Sequence, residues 1–198
     1  METNITPQEF ELFRKLVYEK IGISLSDHKV SLVQGRLSKR LRKLGLSTFK
    51  EYYHFVNNDK NPEEIFYFVD AISTNVTSFF REPGQWAYLK EEMGNITSNI
   101  KDKKLRIWSA ACSSGEEPYS IAMFLREHLK NIHEWDIKIL ATDISNEILA
   151  KASSGVYSSK VMENIPKHIV KKNFNEIQNG EYYAIKDEVK NMIIFRSF

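Results

Sequence analysis

The sequence predicts a small all-helical domain followed by an α/β domain built on a parallel sheet. Three observations carry this reading. Apolar residues recur at three- and four-residue spacings up to residue 72, strand-like and helix-like runs alternate after residue 101, and 198 residues suffice for one ordinary domain or two small ones. Apolar residues make up 42% and charged residues 27%, the balance of a globular chain rather than a disordered one. No apolar run approaches the roughly 20 residues that span a bilayer. The opening Met1-Glu2-Thr3-Asn4 is unlike a secretory leader, and the single Cys112 cannot form an internal disulfide, so a cytoplasmic protein is expected. With 28 basic and 26 acidic residues the net charge is only +2, so any electrostatic role must come from clustering.

Thr6-Pro7-Gln8-Glu9 sets a capping threonine before a first-turn proline and a glutamate, which predicts a helix carrying Phe10, Phe13 and Val17 inward until Gly22. A second helix is expected from Asp27 to Leu44, because Val30, Val33, Leu37, Leu41 and Leu44 share one face and Gly45 supplies a left-handed stop. Ser47 is read as the cap of a third helix with Phe49, Tyr52, Tyr53 and Val56. Asn61-Pro62-Glu63-Glu64 is read as the start of a fourth with Ile65, Phe68, Val69 and Ile72. Residues 1–72 thus form the helical domain, and 73–100 a linker with a connecting helix near Pro83. Residues 101–198 form the α/β part. There Leu105–Trp108 and Ile137–Leu140 read as strands, Pro118–Lys130 and Asn146–Ala152 as helices, and Tyr182–Ile185 and Met192–Phe195 as two strands around a polar turn. Such an order implies right-handed crossovers and ligands at the carboxyl ends of the strands.

Four segments could carry chemistry. Ser109 to Pro118 is a run of small residues entering a helix, either a cradle of nucleotide type or ordinary strand-to-helix packing. Glu116 and Glu117 at its mouth would repel phosphate and favour a cationic ligand. Asp143, ending the second strand, stands where α/β nucleotide sites bind ribose hydroxyls, although it or Ser145 could simply cap the next helix. Thr74-Asn75-Val76-Thr77-Ser78-Phe79-Phe80-Arg81 sets polar groups beside two phenylalanines at the domain junction, which a capped loop with core aromatics would also explain. From His28 to Lys50 the chain carries Lys29, Arg36, Lys39, Arg40, Arg42, Lys43 and Lys50 without a single carboxylate. Helical spacing puts Lys29, Arg36, Arg40 and Lys43 on one stripe, a docking face for an acidic partner or a solvated surface. Histidine spacing suggests no metal site, and no Ser-His-Asp arrangement is legible.

Together Gly22–Lys29, Arg36–Leu41, Thr74–Glu82, Trp108–Tyr119 and Ala141–Ser145 resemble, in order and spacing, the chemotaxis receptor methyltransferases, the CheR family. The resemblance implies a helical N-terminal domain followed by a Rossmann-like class I S-adenosylmethionine-dependent methyltransferase domain. The latter is partial here, with an apparent truncation after the third strand that would leave the edge of the first strand bare. It implies methyl transfer to glutamate side chains of methyl-accepting chemotaxis receptors, giving methyl esters and S-adenosylhomocysteine. It also implies that Asn75, Thr77, Arg81, Glu117 and Asp143 contact the cofactor, with Arg81 near the transferring methyl as the catalytic candidate. Lys29, Arg36, Lys39, Arg40 and Lys43 then correspond to the docking surface for the receptors' cytoplasmic helices. The rival expectations are a non-catalytic module that holds an acidic partner through the same stripe and, more weakly, nucleic-acid binding, for which interleaved aromatics are lacking.

Overall fold

A computed structural model describes residues 4–58, 60–73 and 76–197. The chain divides into two compact units, residues 1–74 and 75–198.

The first unit holds four helices, α1 (Pro7–Ile21), α2 (Val30–Leu44), α3 (Phe49–Val56) and α4 (Glu64–Ile72). The expected capping box closes α1, with Thr6 accepting from the Glu9 amide and Glu9 from the Thr6 amide, and Gly22 ends it at φ +69°. A 3-10 turn over Asp27–Lys29 precedes α2, so the regular helix starts three residues later than its apolar period suggests. The cap of α3 is Thr48, not Ser47, and Glu51 completes its box. Glu63 precedes α4 without a side-chain cap; Asn61 contributes only its carbonyl, to the Glu64 amide. Phe13, wholly buried, packs against the rings of Phe49, Tyr52, Tyr53 and Phe68 at 5.8–6.5 Å. A truncation there would forfeit about 3–5 kcal/mol.

The second unit opens with α5 (Pro83–Ser98) and alternates through β1 (Lys104–Ala110), α6 (Glu116–His128), β2 (Asp136–Asp143) and α7 (Asn146–Ser154). The short elements β3 (Val156–Ser158), α8 (Ser159–Met162), α9 (Lys167–Asn173), β4 (Phe174–Ile177), β5 (Tyr182–Ile185) and α10 (Asp187–Lys190) follow, before β6 (Ile193–Ser197). Strands β1, β2 and β6 form a parallel sheet in the order β1-β2-β6, so β1 is an edge among the described residues. One face of this sheet buries Ile137, Ile139, Ala141 and Ile193 with Ala122, Met123 and Leu125 of α6 and Leu149 of α7. On the other face Trp108, Leu140 and Ile194 stand in register and exposed.

The last two predicted strands are not neighbours. Tyr182–Ile185 pairs antiparallel with β3 and β4 in a separate three-stranded sheet, whereas β6 joins β2. The polar stretch between them begins α10, whose Val189 is fully buried.

Candidate functional site

The carboxyl ends of β1 and β2 are tied together by backbone groups. After Ala110 the turn alternates through left-handed residues, Ala111 at φ +58°, Ser113 at +50° and Gly115 at +94°. A left-handed non-glycine residue costs on the order of 1–2 kcal/mol, so these conformations need specific partners. The Cys112 amide donates to the Thr142 carbonyl at 2.8 Å, the Ser113 amide to Asp143 Oδ2 at 2.8 Å, and the Gly115 amide to the Cys112 carbonyl at 3.0 Å. Three amides of the cradle are therefore committed within the protein, which leaves it poorly equipped for phosphate. Gly115 serves packing rather than ligand approach: an added Cβ would lie 3.0 Å from the Ala152 Cβ and 3.1 Å from the Tyr157 hydroxyl. The Tyr157 hydroxyl donates to the Ser114 carbonyl at 2.7 Å, a further brace on the same turn.

Asp143 is buried, at 7% exposure. Its Oδ1 accepts from the Ser145 amide at 3.0 Å while Oδ2 takes the Ser113 amide. The cap of α7 is Ser145, whose hydroxyl accepts from the Ile148 amide. A carboxylate offers about four acceptor positions, so Asp143 can brace both strand ends and still accept from two hydroxyls. Glu117 is exposed and held by the Ser109 hydroxyl at 2.7 Å. Glu116 is buried beside the Ser114 hydroxyl at 2.7 Å, and burial raises its pKa. Burial, reinforced by Asp143, pushes the Cys112 thiol up to about 12, so it is a packing residue and not a thiolate.

The Arg81 turn is fastened to the same end of α6. Phe79 inserts between the rings of Tyr157 and Phe174 at 4.9 and 5.6 Å, and Phe80 and Trp86 meet at 5.4 Å. The Phe80 amide donates to the hydroxyl of the fully buried Ser120 at 2.9 Å, and that hydroxyl donates to the Glu116 carbonyl at 2.6 Å. Phe80 (φ +50°) and Glu82 (φ +57°) are left-handed on either side of Arg81. The Arg81 side chain is 61% exposed, 3.2 Å from the Val76 carbonyl and 3.9 Å from Glu82. Neither contact immobilises it strongly. Thus the Arg81 loop, Glu117 and Asp143 are each braced by a separate set of hydrogen bonds, through Ser120, from Ser109, and from the Ser113 and Ser145 amides, around the start of α6 and the carboxyl ends of β1 and β2. Thr77 lies on the same segment, half-buried, whereas Asn75 falls outside the described residues. Ser109, Ser120 and Tyr157 escape a sequence reading; the one signal for Ser120 is a hydroxyl inside an otherwise apolar helical face.

The basic stripe of α2 is only partly free. Arg36 donates to the carbonyls of Ala71, Ile72 and Ser73 and so caps the end of α4. Arg40 pairs with buried Glu64, Nε to Oε1 at 2.7 Å, and stacks on Tyr67 at 4.1 Å, while the Tyr52 hydroxyl donates to the same carboxylate at 2.9 Å. Arg36 and Arg40 thus also serve as internal links to α4 and its C-terminal end, Arg40 with its charge paired to Glu64. Lys29, Lys39 and Lys43 remain exposed.

The helical unit matches the family model described as CheR methyltransferase, all-alpha domain, over residues 8–73, and the second unit matches CheR methyltransferase, SAM binding domain, over residues 75–198. The chain belongs to the CheR methyltransferase family. Its relatives include the chemotaxis protein methyltransferase of Borreliella burgdorferi, 38% identical over 99% of this chain and 71% of its own length. Chemotaxis protein methyltransferase 2 of Vibrio cholerae is 36% identical over 98% of the chain and 67% of its length. The corresponding protein 2 of Pseudomonas aeruginosa is 38% identical over 98% and 69%. In this CheR chain the cofactor of the matched domain is S-adenosylmethionine, and the carboxylates of Glu116 and Glu117 stand at the turn in which a cationic ligand is expected. Among the described residues no helix is long and apolar enough to cross a membrane.

Proposed function

We propose that this protein transfers the methyl group of S-adenosylmethionine to glutamate side chains on the cytoplasmic helices of chemotaxis receptors. The observation that supports this best is the carboxylate-walled turn, with three of its amides committed within the protein, beside a loosely held arginine on a braced loop. When bound, the cofactor supplies a methyl on a cationic sulfur, open to in-line attack by a carboxylate oxygen. In this reading Glu117 would accept from the ammonium group and Asp143, which keeps acceptor capacity, from ribose hydroxyls; Thr77, with Asn75, completes the contact set. The acceptor glutamate, with an ordinary pKa of about 4.3, is already ionised at neutral pH, so the chain needs no general base.

Arg81 carries the catalytic part of the proposal. Its guanidinium can hold the incoming carboxylate by two parallel hydrogen bonds and fix the attack direction. Alignment of this kind supplies up to about 7 kcal/mol or more in well-oriented reactions. A cytoplasmic location follows from the substrate, and Lys29, Lys39 and Lys43 are the residues left to meet an acidic receptor surface. The test is methyl incorporation into a receptor cytoplasmic fragment by the wild type and Arg81→Ala. A fall in turnover much larger than the change in S-adenosylhomocysteine affinity is expected; unchanged turnover would defeat the role of Arg81.

A further inference from the structure

The second unit has a groove at the opposite end of its sheet that the methyl-transfer reading does not use. It opens between the C-terminal ends of α5 and α6 and the start of β1, with a volume of about 680 Å³. Small-molecule sites fall in the range of about 300–1,000 Å³. Its floor is apolar, formed by Met93, Ile100, Leu129 and Trp135, and its rim carries Lys90, Lys101, Lys103 and Lys130, with no carboxylate among the lining residues. Only Lys103 is paired, with Glu134 at 3.0 Å, and its ammonium sits 5.4 Å from the centre of the Trp135 ring. Among the described residues, Lys90, Lys101 and Lys130 have no carboxylate within ion-pair distance.

Lysines near helix C-termini often do no more than offset the helix dipoles, and the charge balance decides whether that suffices here. Each of the two helix ends contributes about −0.5 of an elementary charge, and Glu134 a full negative charge. Four ammonium groups exceed this by about two positive charges. His128 lines the groove with its ring 4.7 Å from that of Phe124, and burial first, then Lys90 and Lys172 against the opposing Glu127, lower its pKa. His128 thus stands neutral near pH 7, with one N–H to donate.

The geometry points to a binding site for a phosphate monoester with an apolar or aromatic body. A monoester carries about −1.5 to −2 charges near pH 7, which matches the unbalanced charge on the rim. The floor takes the body, and Thr97 and Asn131 add hydrogen-bonding groups. Because β1 runs from Lys104 at this end to Ala110 at the cofactor end, the two sites lie about 20 Å apart along the strand. The ligand is therefore neither methyl donor nor methyl acceptor but a separate effector.

The experiment titrates the whole chain with 1-naphthyl phosphate and follows the indole N–H signals of its three tryptophans by NMR. Saturable movement of the Trp135 signal is expected, with Trp86 and Trp108 still. Affinity should fall about tenfold or more in Lys90→Gln/Lys130→Gln, and separately in Lys101→Gln, as each removes charged hydrogen bonds to the ligand. 1-Naphthol and inorganic phosphate should each bind about tenfold more weakly than the ester. No saturable shift, or affinity indifferent to these substitutions, would overturn the site. Inorganic phosphate binding as tightly as the ester would overturn the role of the floor. S-adenosylhomocysteine affinity is expected to be unchanged in these variants, so the two sites succeed or fail separately.

Discussion

Removing one hydroxyl should loosen the turn that presents Arg81. In Ser120→Ala the Phe80 amide loses its 2.9 Å acceptor and the Glu116 carbonyl a 2.6 Å donor. Leaving a buried donor unsatisfied costs about 1–3 kcal/mol, while alanine recovers about 0.5 kcal/mol of helix propensity over serine. A net loss of about 0.5–2.5 kcal/mol follows. It falls on the turn, because left-handed Phe80 and Glu82 each hold on the order of 1–2 kcal/mol of strain ready to relax. With the anchor gone, opening of the turn becomes easier by about 1.4 kcal/mol, or tenfold. Amide hydrogen exchange reads this at one site: protection of the Phe80 amide should drop about tenfold. Protection in the β1–β2 core should fall far less. Ser120→Thr keeps the hydroxyl and should restore the protection. If Arg81 acts as proposed, turnover falls with the exchange protection. A Phe80 amide as protected in Ser120→Ala as in the wild type would refute the anchoring argument.

Other expectations follow from the same geometry. Glu64→Leu strands the Arg40 guanidinium and the Tyr52 hydroxyl in the core of the helical unit, and urea unfolding should show a loss of about 3–5 kcal/mol. The double variant Arg40→Met/Glu64→Leu should recover the part due to the stranded charge and leave about 1–3 kcal/mol for the unsatisfied Tyr52 hydroxyl. Gly115→Ala forces a side chain at φ +94° against Ala152 and Tyr157, so a loss of about 2 kcal/mol or more is expected in thermal unfolding, with exchange protection falling first around residues 111–115. Cys112 has a native pKa of about 12, above its ordinary value of 9.0, so the unfolded chain releases the proton first as pH rises. Its contribution is intact below about pH 9 and fades between about 9 and 12, so the stability gap to Cys112→Ala should narrow between about pH 8 and pH 10.5. A gap independent of pH would contradict that burial.

How far the sequence announces this structure depends on the range of the interactions involved. The ends of α1 and the stops of α1 and α2 are legible because Thr6, Glu9, Gly22 and Gly45 act within one helical turn. Strands β1 and β2 are legible because their inward and outward residues alternate, and helix α6 because its apolar run follows a first-turn proline. The small sheet is not, since Val156–Ser158 and Phe174–Ile177 are too short to show alternation and find partners across intervening helices. The same distance separates the reading of the basic stripe from its outcome. A run of one charge sign suggests a docking face, but Arg36 and Arg40 meet their partners 24 to 37 residues further along, in α4 and at its C-cap Ser73. At the site, Glu117 and Asp143 stand out because of their positions after strands. Ser120 matters only through the loop that folds onto it.

The claim on which the functional account rests is that the carboxylates at the strand ends hold a cation-bearing methyl donor. Calorimetric titration of this chain with S-adenosylhomocysteine, whose ammonium group the donor shares, tests it most directly, together with Glu117→Gln, which keeps the acceptor for the Ser109 hydroxyl. Saturable binding is expected, weakened about tenfold by the loss of the single charge. No binding by the wild type, or equal affinity in Glu117→Gln, would contradict the account.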